Sequence, residues 1–320
     1  MRRAMFVLAA LLGCIGGASA QDYPNRTVRL VVPYAAGGGT DAMARFLARG
    51  MEGKLGVPVI VENRPGSGTT TGGNFVAKSV PDGYTLLMAT SSTVAIAPSI
   101  YKNLPYDPAN DFTPISMIAA VPFVLIANPS LGVDSVDAFV KRARSTPGGL
   151  SYASGGAGAP HHIYMELLKS MAGIDLKHVP YRGGGPALSD IVAGHVPVMF
   201  ADVGQALELI NARKVTALAV TTTTRVETMP QVPTLDEAGI KGYEANSWQC
   251  VIGPAKLPAD IVGKLNKVLV EVMAARETKA HFLRLGMQAG ASTPEANGAH
   301  IRAEIARWGK IIRGIGTLNP

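Results

Sequence analysis

Residues 28–41, which read VRLVVPYAAGGGTD, decide the fold class of this chain. The short β-branched run Val28–Val32 predicts a strand, and the apolar residues of Thr40–Lys54 recur at helical spacing. A strand that passes through a glycine-rich turn into a helix is the repeating unit of an α/β sheet. Such a turn exposes backbone N–H groups at the start of a helix, where an anion can bind.

The alternation of predicted strands and helices continues along the chain in two series. The first series adds strands at Val57–Val61 and Thr85–Ala89 and helices at Thr70–Ser79 and Val94–Tyr101. The second series consists, in order, of helix Ser135–Arg144, strand Leu150–Ala153, helix Pro160–Met171, strand Leu176–Val179, helix Pro186–Ala193, strand Val196–Phe200, helix Gln205–Asn211 and strand Val215–Thr221. In the first series, continuous apolar strands between helices predict a parallel sheet covered on both faces.

Two features divide the chain into two lobes. The apolar stretch Ile115–Ala127, broken by Pro122, predicts one long strand that leaves the first sheet for a second region. After the strand Trp248–Ile252, two apolar stripes at helical spacing predict a helical tail that returns to the first lobe. We therefore expect an α/β fold with a hinge between two αβ sheets. Lobe I should comprise residues 25–124 with 246–320, and lobe II residues 125–245.

The N-terminus predicts export. Arg2 and Arg3 precede a short apolar run, Met5–Ile15, and Ala18–Ala20 forms a small-x-small cleavage site. We expect a signal peptide over residues 1–20, cleaved after Ala20, and a mature protein in the periplasm. The preceding Leu-Leu-Gly-Cys resembles a lipoprotein signal, so a lipid anchor at Cys14 is the alternative. No later apolar run reaches the roughly 18 residues of a transmembrane helix.

Composition excludes several classes of function. The chain has 320 residues, of which 47% are hydrophobic and 17% charged, so it can bury a sizeable core. Removal of Arg2 and Arg3 lowers the formal charge from +7 to +5, a mild excess that suits an anionic ligand. Aromatic residues are only 6% and are not interleaved with basic residues, so we expect no nucleic-acid partner.

Cysteine and histidine usage argues against disulfides and metals. After cleavage only Cys250 remains, and its apolar neighbours predict a buried, unreactive thiol. His161 and His162 are adjacent, and adjacent residues of a helix point about 100° apart, so they do not easily chelate one ion. We expect no metal and no cofactor.

Residues 151–162, which read SYASGGAGAPHH, are the strongest anion-binding candidate. A strand ends in a loop of small residues, and Pro160 stands in the first turn of the following helix. Small side chains leave the first-turn N–H groups open, and the helix end contributes about 0.3–1 kcal/mol for each such electrostatic interaction.

Several other positions remain open from the residues alone. The loop Pro33–Asp41 reads as a small-anion loop, a plain turn or a dinucleotide site, although Asp41 in the first turn would repel a pyrophosphate. Ser91 either caps the next helix or contacts a ligand. Tyr181 could face a cleft. Asp202, at a strand end, either accepts a ligand N–H or hydroxyl or caps the next helix.

A set of short stretches in fixed order resembles the Bug receptors, the extracytoplasmic binding proteins of tripartite tricarboxylate transporters. The stretches cover the mature chain and are highly specific as an ordered set. They are Tyr23-Pro24, Pro33–Asp41, Asn63-Arg64-Pro65-Gly66, Pro81-Asp82-Gly83-Tyr84, Leu104-Pro105-Tyr106-Asp107, Asp111-Phe112, Tyr152–His162, Val179–Pro186 and Trp308.

The resemblance implies a type II periplasmic-binding-protein fold whose two lobes close on a small carboxylate. A dicarboxylate or tricarboxylate, an amino acid and an aromatic acid all belong to that class. The implied protein is a monomeric receptor rather than an enzyme, and its partner is a membrane permease of the tripartite tricarboxylate type. Together with the positions above, the expected ligand-binding residues are Tyr34, Ala35, Ala36, Thr40, Asp41, Ser91, Ser154, Gly156, Gly158, Ala159, Pro160, His161, Tyr181 and Asp202.

Two positions depart from the family pattern. The usual Phe-Asp-Asn reads Phe200-Ala201-Asp202 here, which displaces Asp202 by one position, and the usual Trp-aromatic-Gly reads Trp248-Gln249-Cys250. Both departures concern the pocket and leave the identity of the ligand open.

Two other functions fit the same sequence. One is an exported α/β hydrolase that uses Ser67 or Ser154 as its nucleophile. The other is a ligand receptor for a membrane sensor. Turnover of the ligand separates the hydrolase from both receptors, because a receptor binds one equivalent and releases it unchanged.

Overall fold

The computed structural model describes residues 23–315 of the chain. The predicted signal peptide over residues 1–20, its cleavage site after Ala20 and the alternative lipid anchor at Cys14 lie outside these residues. Between residues 23 and 315, no helix is both long and apolar enough to cross a membrane.

Eleven strands build two separate sheets. In chain order they are β1 (Val28–Val32), β2 (Val59–Asn63), β3 (Thr85–Thr90), β4 (Phe112–Val121), β5 (Phe123–Ala127), β6 (Leu150–Ser154), β7 (Leu176–Pro180), β8 (Val198–Asp202), β9 (Thr216–Val220), β10 (Ser247–Pro254) and β11 (Gln288–Ala289). The first sheet has the order β11-β4-β10-β3-β1-β2, and the second has the order β7-β6-β8-β5-β9.

Ten helices within the described residues cover these sheets. They are α1 (Gly39–Leu55), α2 (Thr70–Ala77), α3 (Ala97–Ile100), α4 (Val136–Ser145), α5 (Pro160–Ala172), α6 (Gly184–Ala193), α7 (Val203–Asn211), α8 (Ala259–Ala274), α9 (Arg276–Arg284) and α10 (Pro294–Ile315). The helix predicted over Val94–Tyr101 begins earlier, as a π-helical segment over Ser92–Ile96 that continues into α3.

The apolar stripe of α1 shows why the sequence pattern folds this way. Met43, Leu47 and Met51 recur at helical spacing, and all three are fully buried. The helix ends where Gly56 takes a left-handed conformation with φ 74°, which glycine adopts without strain. Burial of the stripe fixes α1, and with it the loop before its first turn.

The strands of the first series pair in parallel as predicted, but each sheet also contains antiparallel strands. In the first sheet β1 pairs in parallel with β2 and β3, but β10 is antiparallel to both β3 and β4. In the second sheet β6 is parallel to β7 and β8, whereas β5 is antiparallel to β8 and β9. The chain leaves the first sheet through β4 and re-enters it through β10, so these adjacent strands run in opposite directions.

The stretch Ile115–Ala127, predicted as one long strand, forms two strands in different sheets. Pro122 separates β4 from β5, because it has no N–H to donate to a sheet. Its carbonyl oxygen accepts the N–H of Val203 at 3.1 Å. This proline is therefore the outward crossover between the sheets, and residues 221–246 form the return from β9 to β10.

The buried core joins the two halves. Trp308 of α10 is fully buried and stacks on Tyr164 of α5, with ring centroids 5.5 Å apart. Glu304, also in α10, accepts the indole N–H groups of both Trp308 and Trp248. Cys250 is a buried free thiol in β10, and burial raises its pKa to about 12.

Candidate functional site

The first candidate loop joins β1 to α1. Residues 35–39 are exposed, and α1 begins at Gly39 with Gly38 as an extended N-cap residue (φ −83°, ψ 171°). No side chain of the described residues caps this helix end. Because first-turn N–H groups have no acceptor inside the helix, those of residues 39–41 are available to an anion.

Asp41 braces this loop from inside. It is only 4% exposed, and its carboxylate accepts the N–H of Gly37 at 2.9 Å, Nε of Arg45 at 3.0 Å and Nδ2 of Asn63 at 2.9 Å. Burial alone would raise the pKa of Asp41, but the hydrogen bonds from Arg45, Gly37 and Asn63 hold it below the usual range. The carboxylate therefore fixes the loop, with its oxygens already engaged by protein donors.

Gln249 connects β10 to the start of α1. Its Nε2 donates to Oγ1 of Thr40 at 3.2 Å, across 209 residues of sequence. Its Oε1 is buried and has no hydrogen-bond partner among the described residues. An unpaired buried acceptor is costly, so this oxygen suits a hydroxyl or N–H group of a ligand. The sequence marked Gln249 only as a departure from the family pattern and missed it as a site residue.

Tyr34 lies where the two sheets meet. Its hydroxyl is 3.2 Å from Oγ1 of Thr90 at the end of β3. Burial raises the pKa of Tyr34, and the negative charge of Asp202, in β8 of the second sheet, raises it further. Ser91 is fully buried, and its hydroxyl lies 3.0 Å from that of Ser247, which ties β3 to β10.

The second candidate loop, residues 155–159, joins β6 to α5. Gly156 and Gly158 have φ values of +121° and +76°, in the region that favours glycine. The helix begins at Pro160 with Ala159 as its N-cap residue, and no side-chain hydrogen bond caps it within the described chain. The positive end of the α5 dipole therefore faces an open loop of small residues.

Two N–H groups of the second loop already have acceptors. That of Gly156 donates to Oγ of Ser154 at 3.1 Å, and that of Gly158 donates to Nδ1 of His162 at 3.0 Å. The N–H groups without an acceptor in residues 23–315 are those of Gly155, Ala157 and His161. These three N–H groups can donate hydrogen bonds to a bound anion.

The side chain of His161, in the first turn of α5, contacts residues of β5 and β8. Its Nε2 lies 3.3 Å from Oδ2 of Asp202, and its ring meets that of Phe123 edge-on at 5.2 Å. Nδ1 is buried without a partner in the part of the chain that the structure describes. A Cβ on Gly184, the first residue of α6, would lie 3.1 Å from Nε2, so glycine permits this close approach.

Tyr181 directs its hydroxyl at α6. This hydroxyl donates to Oδ2 of Asp190 at 2.6 Å. Burial and the Asp190 carboxylate raise the pKa of Tyr181 to about 12. The hydroxyl is thus engaged by Asp190, and any contact of Tyr181 with a ligand has to come from its ring or its backbone.

Two observations bring the second loop and β8 close to elements of the first sheet. A Cβ on Gly158 would lie 3.5 Å from Cδ1 of Ile100, which belongs to α3 on the side of the first sheet. Asp202 influences Tyr34 across the same space. A groove of about 640 Å³ lies elsewhere on the first sheet, and none of the predicted site residues line it.

Two histidines that the sequence did not place in the site support the second loop. From the sequence, His162 was considered only as a metal ligand, and His178 was given no role. The structure gives them the N–H of Gly158 and the hydroxyl of Ser154 as partners. Within residues 23–315 there is no group of three or more side chains that could hold a metal ion.

The comparisons with known proteins point to one family. The model of the tripartite tricarboxylate transporter family receptor (TctC) matches residues 43–317. The protein BugT of Bordetella pertussis strain Tohama I is 35% identical over 311 residues, which cover 97% of this chain and 95% of BugT.

Two similar proteins have been solved with a carboxylate. R. palustris Rpa4515 with adipate is 35% identical, has a TM-score of 0.86 and covers 93% of this chain and 99% of its own. MatC (Rpa3494) from Rhodopseudomonas palustris with bound malate is 31% identical, has a TM-score of 0.82 and covers 91% of this chain and all (100%) of its own. The predicted two-lobe binding-protein fold is confirmed by these matches.

Proposed function

We propose a function for this chain on the basis of its family. The chain belongs to the tripartite tricarboxylate transporter receptor family. The proposed activity is the capture of a small carboxylate between two lobes, followed by its delivery to a membrane permease of the tripartite tricarboxylate type. One observation carries the proposal. Two helix starts, one following β1 and one following β6, have no side-chain cap within the described residues. We infer that both face one space between the sheets, since Gly158 lies close to Ile100 and Asp202 acts on Tyr34.

A carboxylate suits this space for a physical reason. Removal of a charge from water is costly unless donors replace the lost hydration. Backbone N–H groups at a helix start supply short, charge-assisted hydrogen bonds, and the helix dipole adds to them. Since each loop holds only part of the donor set, only the closed arrangement of the two lobes satisfies the ligand.

The ligand class follows from chemistry and from the relatives. Adipate and malate, bound by the two solved relatives, both carry two carboxylates. The lone acceptor Oε1 of Gln249 and the carboxylate of Asp202 add places for a hydroxyl or amine. We propose that the ligand is a small organic acid that carries such a donor or a second carboxylate, and that the protein binds it as a monomer.

Export and the lobe boundaries complete the proposal. The protein is secreted to the periplasm with cleavage after Ala20, which the intact mass of the exported protein would reveal. The proposed lobes comprise residues 25–124 with 246–320, and residues 125–245. Because β5 begins at Phe123 and belongs to the second sheet, we set the outward boundary between the lobes at Pro122. A mass that shows a lipidated N-terminus at Cys14 would instead favour the alternative, a lipid anchor in place of cleavage after Ala20.

One contact favours a second candidate function. Oγ of Ser154 lies 2.6 Å from Nε2 of His178, the arrangement of a nucleophile with its base. However, Ser154 is fully buried, and its Oγ also accepts the N–H of Gly156. The hydroxyl thus supports the loop and is not open to a substrate, so we rank hydrolysis below binding.

A thermal-shift panel with product analysis tests the proposal. The panel contains malate, adipate, citrate, amino acids, aromatic acids, neutral sugars and simple cations. A ligand at a hundredfold excess over Kd should add about 2.7 kcal/mol to the free energy of unfolding. We expect a carboxylate to raise Tm and to be recovered unchanged. Turnover of a hit would favour the hydrolase, and a rise with sugars or cations alone would contradict the anion site.

A further inference from the structure

A stacked pair of histidines lies behind the second loop, outside the set of proposed ligand contacts. The rings of His162 in α5 and His178 in β7 are 4.0 Å apart and nearly parallel, at 6°. The ring of Tyr152 in β6 stacks on His178 at 5.0 Å. His162 is 6% exposed, and His178 is partly buried.

Both histidines hold the loop through hydrogen bonds. Nδ1 of His162 accepts the N–H of Gly158 at 3.0 Å. His178 lies 2.6 Å from Oγ of Ser154, and the same Oγ accepts the N–H of Gly156. The two left-handed glycines of the loop are thus both tied to the histidine pair, directly or through Ser154.

The bond to Gly158 requires a particular protonation state. A backbone N–H only donates, so Nδ1 of His162 must be unprotonated and the ring proton must sit on Nε2. A proton added to Nδ1 would face another donor. The loop would then have to move away from His162.

The surroundings keep this ring neutral near neutral pH. Burial lowers the pKa of His162 to about 4, and the charges of His178 and Lys169 act in the same direction, while Glu166 opposes them. Burial also lowers the pKa of His178. Glu166 is itself engaged, because its Oε1 accepts the Tyr152 hydroxyl at 2.5 Å and Nζ of Lys169 at 3.0 Å.

We propose that His162 is a positioning residue for the ligand site, and that protonation of the stacked histidine pair releases the Gly158 loop and weakens carboxylate binding. The proposal rests on the proposed function, because it assigns a regulatory role to the same site. Under this proposal, release of the ligand is coupled to the uptake of a proton by the histidine pair. One proton taken up on release lowers the affinity by on the order of tenfold for each pH unit below the pKa of His162.

A matched pair of substitutions separates this role from simple packing. In His162→Asn, Oδ1 stands near the place of Nδ1 and accepts the Gly158 N–H without titrating. In His162→Leu no acceptor remains. His281→Asn is the control, because His281 stacks on Phe46 at 4.2 Å, away from the second loop.

The affinities for malate and adipate are measured by calorimetry from pH 7.5 to pH 3. The pKa of His162 lies at about 4, so the linked loss of affinity should be about twofold at pH 4 and about tenfold at pH 3. We expect His162→Leu to bind at least about tenfold more weakly at pH 7, and His162→Asn to bind as the parent protein does. As the pH falls, the affinity of the parent should drop relative to that of His162→Asn, and the protonation of the ligand itself cancels in this ratio. His281→Asn should follow the parent at every pH.

Several results would overturn the proposal. His162→Leu binding as tightly as the parent would do so. A parent-to-Asn affinity ratio that stays flat or rises at low pH would also do so, since an imidazolium that merely attracts the anion gives the rise. If the protein unfolds at a pH above that at which His162 titrates, the affinities of His162→Leu and His162→Asn at pH 7 decide whether His162 positions the loop.

A readout without ligand keeps this test separate from the proposed function. In ¹⁵N NMR spectra of the ligand-free protein, the Gly158 amide should titrate together with the His162 ring, and this titration should vanish in His162→Asn. If neither malate nor adipate binds, the choice of ligand fails, while the Gly158 amide still decides the role of His162. A Gly158 amide that does not respond to pH where His162 titrates contradicts the proposal.

Discussion

At the scale of single residues, the second loop depends on glycines that no other residue replaces. Gly158 has φ +76°, and a Cβ added to it would lie only 3.5 Å from Cδ1 of Ile100. Its N–H is bound to His162. A side chain at this position would occupy the space that we assign to the ligand.

Replacement of Gly158 by leucine should therefore abolish binding while the protein still folds. Gly132, with φ +72° and no atom within 4 Å of an added Cβ, provides the matched control. Each variant should lose about 1–3 kcal/mol of folding free energy from left-handed backbone strain. Only Gly158→Leu should lose the ligand-induced rise in Tm. An equal rise in both variants would place the ligand elsewhere.

Asp41 illustrates how a predicted ligand residue acquires another role. The sequence placed it in the first turn of α1, where it could touch a ligand or complement the dipole. The structure surrounds its carboxylate with Gly37, Arg45 and Asn63. Since its pKa is depressed in the fold, its contribution to stability is present above its unfolded pKa and is lost as the pH falls through the folded pKa.

At the scale of elements, α10 secures the return of the chain to the first sheet. Glu304 is 8% exposed and accepts Nε1 of Trp248 at 3.1 Å and Nε1 of Trp308 at 3.0 Å. Nη1 of Arg307 donates to its other oxygen at 3.0 Å. One carboxylate thus satisfies two buried indoles from a helix and a strand.

Glu304→Ala should destabilise the protein by about 3–5 kcal/mol, because it leaves two buried indole N–H groups without an acceptor and removes the carboxylate that Arg307 binds through Nη1. Glu295→Ala, on the exposed first turn of the same helix, should cost only about 0.3–1 kcal/mol. Urea unfolding monitored by tryptophan fluorescence compares the two. Equal midpoints would mean that the indoles find other partners.

At the scale of the whole molecule, the two halves touch beside the crossover at Pro122. A Cβ on Gly204, in α7, would overlap the carbonyl oxygen of Leu285, which follows α9. A Cβ on Gly286 would in turn lie 2.6 Å from the backbone N of Gly204. The absence of side chains here lets the second half pack directly against the first, and we expect this contact to set the angle between the two halves.

Gly204→Ala should change that angle and weaken carboxylate binding by roughly tenfold or more, in proportion to the strain of restoring it. Gly263→Ala in α8 is the control, since no atom lies within 4 Å of the added Cβ and alanine favours a helix by about 1 kcal/mol over glycine. Small-angle scattering with and without malate, combined with calorimetry, measures both effects. Unchanged scattering and affinity in Gly204→Ala would show that this contact does not set the angle.

The sequence by itself determined what depends on local periodicity and turn chemistry. The strand over Val28–Val32 was predicted with its bounds, and α1 and α5 were each predicted to within one residue at either end. A helix start at each of the two glycine-rich junctions was predicted, and the structure shows one there, without a side-chain cap among the described residues. Anion binding at these junctions stays a prediction. These features depend on residues within a few positions of each other, so an amphipathic stripe or a run of small residues is enough to reveal them.

Only the tertiary structure decided which residues become partners. The antiparallel placement of β10 depends on how the chain crosses between the sheets, and no local pattern records this. The pairing of Gln249 with Thr40 joins residues 209 positions apart. His161 and His162 are neighbours in sequence, yet one faces Asp202 and the other Gly158, because helical geometry turns their side chains in different directions. The physical reason is that a hydrogen bond is specified by the position of its acceptor, and packing of distant strands sets that position.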